Sequence, residues 1–181
     1  NSRIFYNNWH PHNYTDFYSK IFDHNRQHIK NILECGIGSN NPNVPSNMGT
    51  DYKPGGSLKM WKEYFFNAEI YGVDIDKDIL FTEERIKTFY VDQLSADSIK
   101  KMWGKIDKKN FDLIIDDGLH NFEAGTIFFN NSIEYLSENG IYIIEDVDPS
   151  YLHKLTLYFE NDFYVEVVRL KSNKFNLLKD N

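Results

Sequence analysis

The sequence predicts an α/β fold: a seven-stranded, mostly parallel sheet with helices on both faces and an antiparallel last strand. Three observations carry this. Short apolar runs bounded by turn residues alternate with longer segments of helical period, the pattern of a parallel sheet built from right-handed crossovers. Two of those runs, at 111–120 (FDLIIDDGLH) and 140–148 (GIYIIEDVD), stop abruptly in carboxylates. In open α/β sheets the ligand crevice lies outside the carboxyl ends of such strands. The last two extended runs are joined by a turn at 171–174, so the final strand must run antiparallel to its predecessor.

Taken in order, residues 13–30 read as an amphipathic helix leading into a first strand at Asn31–Cys35. The polar, Pro/Gly-rich segment 36–56 is too long for an ordinary βα loop, and loops of that length are usually functional or mobile. A helix at 57–66, a strand at 70–74 and a short helix near 77–85 follow. Residues 87–92 read as a third strand and 95–103 as a helix capped by Ser95. The fourth strand is Phe111–Asp116, followed by a helix at 122–137 and a fifth strand at 141–145. A helix at 150–160 leads to the closing pair of strands, 163–170 and 175–178.

At 181 residues the chain reads as one domain, with an N-terminal helical and lid segment at 1–30 and a core at 31–181. The net charge of −7 argues against nonspecific binding to nucleic acid or to an anionic membrane, both of which need clustered Lys and Arg. A single cysteine, Cys35, excludes an intrachain disulfide and a cysteine-rich zinc site; it reads as a small core residue. No signal peptide and no bilayer-spanning apolar stretch is legible, so the expected location is cytoplasmic. The chain opens on Asn1 instead of Met, which leaves room for residues upstream.

If the fourth and fifth strands are neighbours, Asp117, Glu145 and Asp146 converge at one rim with His120 beside them. Three carboxylates that close repel one another unless they are protonated or share a cation. A hard divalent metal (Mg²⁺, Mn²⁺ or Ca²⁺) is the economical explanation, since all-oxygen ligands select these over zinc. His120 is then kept for proton transfer. Each residue has a bland counterpart, a strand-end aspartate such as Asp116 being most often a helix cap.

The first strand ends Glu34-Cys35-Gly36-Ile37-Gly38-Ser39-Asn40, where glycines let the backbone approach a ligand closely. A dinucleotide-binding turn wants a third glycine at position 41, occupied here by Asn41, and a helix starting at once. An acid just before Gly-x-Gly is instead what S-adenosylmethionine (SAM) enzymes show. Asp74, ending the second strand, can accept both ribose hydroxyls, and Asp92, ending the third, is placed to meet the adenine.

On these residues the chain resembles the class I SAM-dependent methyltransferases, with their Rossmann-like seven-stranded sheet, over essentially its whole length. Asn40 stands in place of that pattern's third glycine and tolerates positive φ better than most residues. A more specific resemblance covers 32–147. The loop 38–61, with Asn40-Asn41-Pro42 and Pro54-Gly55-Gly56-Ser57-Leu58, is similar to that of the metal-dependent sugar O-methyltransferases of macrolide biosynthesis. So are Asp-Asp-Gly-x-His and the Glu-Asp pair. The resemblance implies Asp117, Glu145 and Asp146 as magnesium ligands, with Asp117 also counted as catalytic, and His120 as the general base. It implies Glu34, Gly36, Gly38, Ser57, Asp74, Asp92 and Asp116 on the SAM side.

The expected activity is therefore methyl transfer from SAM to a hydroxyl of a sugar or glycosylated metabolite. The alternatives are a catechol-like diol or phosphate-derived acceptor, or an idle SAM-binding partner subunit. Asp148-Pro149-Ser150-Tyr151 resembles an amino-group methyltransferase motif but stands at the wrong strand end, and Pro149 is read as starting a helix. The aromatic string Phe5, Tyr6, Trp9 is expected to form a lid or a contact with another subunit in a homo-oligomer.

Overall fold

The computed structural model describes residues 14–168 and Leu170. Five α-helices and six strands alternate along these residues: α1 (Tyr14–Phe22), β1 (Asn31–Cys35), α2 (Gly56–Tyr64), β2 (Glu69–Asp74), β3 (Thr82–Glu83), β4 (Ile86–Tyr90), α3 (Ala96–Lys105), β5 (Phe111–Asp116), α4 (Phe122–Asn130), β6 (Leu136–Ile144) and α5 (Pro149–Phe159). The sheet order is β3-β4-β2-β1-β5-β6, and every pairing is parallel except the short β3–β4 hairpin at one edge.

Strand periodicity divides the core. Ile32, Ile70, Leu113 and Ile115 point to the face covered by α1 and α2, where they meet Tyr18, Phe22, Leu58, Trp61 and Phe65. Leu33, Tyr71, Val73 and Ile114 point to the other face, against Ile99, Met102 and Trp103 of α3 and Phe128 of α4. A smaller cluster of Phe129, Leu155 and Phe159 seats α5 on α4. Cys35 is buried in the second face, where burial pushes its thiol up, so it serves as a core residue.

The Ser95 cap and the Pro149 helix start follow the sequence reading. Ser95 accepts from the Ser98 N–H at the start of α3, and Asp148 caps α5 with Pro149 in its first turn. Three expected helices are shorter, for local reasons. α1 gives way to turns after Phe22, where Asp23, His24 and Asn25 favour turn conformations. α4 stops at Asn130 because the Asn131 side chain donates back to the Ile127 carbonyl at 2.8 Å, and β6 then starts at Leu136, earlier than expected. The helix expected at 77–85 is a single 3₁₀ turn at Lys77–Ile79 followed by the β3–β4 hairpin.

The expected sixth strand is corrected. Among the described residues 163–168 form no strand; Phe163 packs its ring on Phe129 at 5.0 Å while staying 43% exposed, Val165 packs against the cluster of Phe129, Leu155 and Phe159, and Tyr164 is exposed. The turn 171–174, the last strand 175–178 and the N-terminal Phe5, Tyr6 and Trp9 lie outside the described residues. Among the described residues no helix is long and apolar enough to cross a membrane.

One long-range clamp was not legible in sequence. Arg85, in the left-handed region at the hairpin turn, donates to the carbonyls of Lys62 and Ala68 at 2.9 Å and of Phe65 at 3.3 Å. It thereby satisfies carbonyls at the end of α2. Arg85→Met should lower folding stability by about 1–3 kcal/mol, measured by urea denaturation; an unchanged midpoint would show that water replaces the clamp.

Candidate active site

The strand ends on the carboxyl side of the sheet are tied together through the backbone. Gly36 N–H donates to the Val73 carbonyl at 2.9 Å and Asp117 N–H to the Cys35 carbonyl at 2.9 Å, while Glu145 N–H donates to the Asp116 carbonyl at 2.9 Å. Gly36 has φ 85°, and a Cβ there would collide with the Asp117 carbonyl, so the turn after β1 and the turn after β5 touch without any side chain between them. Gly38, at φ 84°, leaves room for the ring of Tyr52, which the long loop folds back over the turn.

A cavity of about 150 Å³ opens over this junction. Gly36, Gly38, Asp74 and Asp92 form one side, Val44, Met48 and Tyr52 of the long loop another, and Asp117, His120 and Asp146 the third. The long loop is held by bonds from Met48 N–H to the Ser39 carbonyl at 2.7 Å and from Gly55 N–H to the Ile37 carbonyl at 2.8 Å. Asp74 accepts the N–H groups of Ile37 and Asp76, both at 2.9 Å, so its carboxylate fixes the glycine turn and keeps lone pairs for a ligand. Burial is the largest influence on Asp74 and raises its pKa, against the lowering effect of those backbone bonds. Asp92 is half-buried and accepts from Leu94 N–H at 3.0 Å.

Asp117, His120 and Asp146 each offer a ligand atom, and these atoms lie within 4.8 Å of one another. His120 and Asp146 both hold left-handed backbones, at φ 54° and 50°, a region that His and Asp enter more readily than most non-glycine residues. Among the described residues His120 Nδ1 is buried without a hydrogen-bond partner, an orphaned polar atom on a side chain beside two carboxylates. This donor set suits a divalent cation.

Three expected residues sit elsewhere. Glu34 and Ser57 lie on the opposite face of β1, where Ser57 Oγ and Trp61 Nε1 each donate to Glu34 at 2.5 Å. They do not line the first cavity; Glu34 lines a second one beneath α1 and α2 instead. Asp116 is not a helix cap, a role taken by Asn121 at α4. It is buried behind the cavity wall, accepting from Gln93 Nε2 at 2.6 Å and Gly118 N–H at 3.3 Å, and burial pushes its pKa up to about 6.

Glu145, expected beside Asp117 and Asp146, turns toward the second cavity and accepts from the Tyr18 hydroxyl at 2.5 Å. Asp146 accepts from the Tyr14 hydroxyl. Burial, reinforced by these acids, raises both tyrosines and keeps them protonated donors. Sequence reasoning missed this pair, although positions 14 and 18 share one face of the helix it predicted.

The chain as a whole is similar to proteins of known activity. Over 163 residues the chain is 30% identical to 8-demethyl-8-alpha-L-rhamnosyl tetracenomycin-C 2'-O-methyltransferase of Streptomyces olivaceus, covering 90% of this chain and 40% of that protein. It is 32% identical to demethylmacrocin O-methyltransferase of Streptomyces fradiae over 142 residues, covering 77% and 33%. Its homologues are sugar O-methyltransferases.

Among solved structures, the MycE methyltransferase from the mycinamycin biosynthetic pathway, in complex with Mg and SAH, matches with a TM-score of 0.62 at 29% identity, over 78% of this chain and 34% of that one. No protein-family model matches the chain. The chain spans two fifths or less of the length of these sugar O-methyltransferases.

Glu34 supplies a structural test of the strand-end arrangement. Glu34→Ala strips the acceptor from the Ser57 hydroxyl and the Trp61 indole together and should cost about 2–5 kcal/mol of stability, read from chemical denaturation. A loss below about 1 kcal/mol would mean that both donors find water, and that the bonds do not hold α2 on β1.

Proposed function

We propose that this chain carries the SAM-binding and metal-binding core of an O-methyltransferase that acts on a hydroxyl of a sugar or glycosylated metabolite. The observation that carries this reading is the gathering of Asp117, His120 and Asp146 on the wall of a cavity whose other wall is the Gly36–Gly38 turn with Asp74 and Asp92. The relatives' acceptors support the substrate class: one is named for a rhamnosyl 2'-hydroxyl, and MycE has been solved with Mg, SAH and mycinamycin VI.

In this reading Gly36 and Gly38 keep the turn free of side chains where the cofactor must lie close, while Asp74 and Asp92 receive its ribose and adenine ends. The loop around Val44, Met48 and Tyr52 closes the cavity and excludes water from it. Asp117 and Asp146 would hold a divalent cation, whereas Glu145, bonded to the Tyr18 hydroxyl in the second cavity, stands outside their cluster. When bound, the cation supplies charge stabilisation for an oxygen losing its proton, and SAM supplies the methyl group. A sugar hydroxyl is about as weak an acid as water, far too weak to ionise unaided near neutral pH. His120 Nδ1, buried and without a hydrogen-bond partner among the described residues, would take the hydroxyl proton as SAM gives up its methyl group to that oxygen and leaves as S-adenosylhomocysteine.

One observation favours a second reading of the same site. The histidine lies inside the metal-sized cluster and Glu145 outside it, so His120 can serve as a ligand in place of a base.

His120→Ala separates the two roles. As the base, it should lose about 10²–10⁴ in the chemical rate while Mn²⁺ binding, followed by electron paramagnetic resonance, is unchanged. Loss of Mn²⁺ binding would make it a ligand.

Titration of S-adenosylhomocysteine into the chain, with Mg²⁺ and then with EDTA, should show binding at micromolar affinity or better. Asp117→Asn should remove metal activation and most turnover on a panel of glycosides. Full activity in excess EDTA would refute the metal assignment, and no binding of S-adenosylhomocysteine in either condition would refute the cofactor.

A further inference from the structure

Gln93 stands in the loop after β4, between Asp92 and Leu94, and is buried although its side chain is an amide. In the sheet, β4 is separated from β5 by β2 and β1. The Gln93 side chain nonetheless reaches the turn that follows β5. Its Nε2 donates to Asp116 Oδ1 at 2.6 Å, and its Oε1 accepts from the Leu119 N–H at 2.9 Å. The two ends of the amide are thus assigned by chemistry: a carboxylate oxygen accepts, a backbone N–H donates, and a flipped amide would break both bonds. Gly118 packs beneath, where any Cβ would collide with Gln93 Oε1. The amide therefore grips the turn at 116 and at 119, with Asp117 between the grips and His120 immediately after them.

His120 needs such support. Its Nδ1 has no hydrogen-bond partner among the described residues, and its backbone is left-handed. The position of the ring is therefore set by the backbone of the turn more than by bonds to the ring. The turn is fixed by Gln93, by the Asp117 N–H bond to the Cys35 carbonyl, and by the Gly118 N–H bond to Asp116. Gln93 also lines the cavity between Asp92 and Leu94, on the side proposed for the cofactor.

We infer that Gln93 is a positioning residue: its amide couples the cofactor side of the cavity to the turn carrying Asp117 and His120, and so aligns both for methyl transfer. This rests on the reading under Proposed function for the transfer step alone; the clamp itself is a matter of geometry. Losing a buried hydrogen-bonded link to a charged group should slow the aligned step by about 10- to 100-fold.

The test is Gln93→Leu in the full chain, of nearly the same volume and without hydrogen bonding, with Gln93→Met as a second variant should the first fold poorly. Two measurements are made. Hydrogen exchange should quicken at the Leu119 amide while β1 and β2 stay protected, and kcat should fall by about 10- to 100-fold with KM for SAM little changed. Unchanged exchange at Leu119, or unchanged kcat, overturns the inference. A parallel loss of kcat, SAM binding and melting temperature also overturns it, because that is what a merely structural residue would show. If the wild-type chain neither binds S-adenosylhomocysteine nor methylates a glycoside, the proposed function fails and the coupling with it. The exchange measurement would then still show whether the clamp exists.

Discussion

The contact between the backbones of two turns at Gly36 is the constraint on which the rest of the site depends. Asp117 donates to Cys35, its own carbonyl occupies the space a Cβ on Gly36 would need, and Gly36 donates across to Val73. Three neighbouring strands, β2, β1 and β5, are thereby brought to one level at their carboxyl ends. Asp74, the glycine turn and Asp117 then face one cavity because β1 lies between β2 and β5 in parallel register. A side chain at position 36 would separate the turn that approaches the cofactor from the turn that carries the acid and the histidine.

The same crowding concentrates negative charge, and the fold answers it with donors. Glu34, Asp74, Asp116 and Glu145 are all buried at this end of the sheet. Glu34 takes a serine hydroxyl and an indole N–H, Asp74 takes two backbone N–H groups, Asp116 an amide and a backbone N–H, and Glu145 a tyrosine hydroxyl. Buried carboxylates persist where hydrogen bonds reach them. Glu34, Asp116 and Glu145 lie behind the cavity or on the far side of β1, whereas Asp74 lines the cavity and the half-buried Asp117 and Asp146 meet His120 in it.

The helix pair α1 and α2 links these two layers. Trp61 of α2 stacks edge-on with Tyr18 of α1 at 4.6 Å, and each donates to a different buried glutamate, Glu34 and Glu145. Arg85 holds the far end of α2 from the hairpin edge of the sheet. The placement of Glu145 therefore depends on packing contributed by residues more than a hundred positions away in the chain.

Sequence by itself determined what short-range chemistry can encode. Apolar runs of strand length, the Ser95 cap, the Pro149 helix start, the glycine turn and the order of acids at successive strand ends are local patterns, so the parallel α/β sheet and the residues Gly36, Gly38, Asp74, Asp92, Asp117, His120 and Asp146 at one cavity were legible in it. Tertiary structure decided the rest. A strand-end acid can turn to either face of the sheet, and only the neighbours on each face choose: Trp61 and Ser57 draw Glu34 away, Tyr18 draws Glu145 away, and Gln93 draws Asp116 beneath the wall. The same holds for residues 163–168, which read as a strand in the sequence but form none among the described residues, because pairing needs an edge in register that no local pattern specifies.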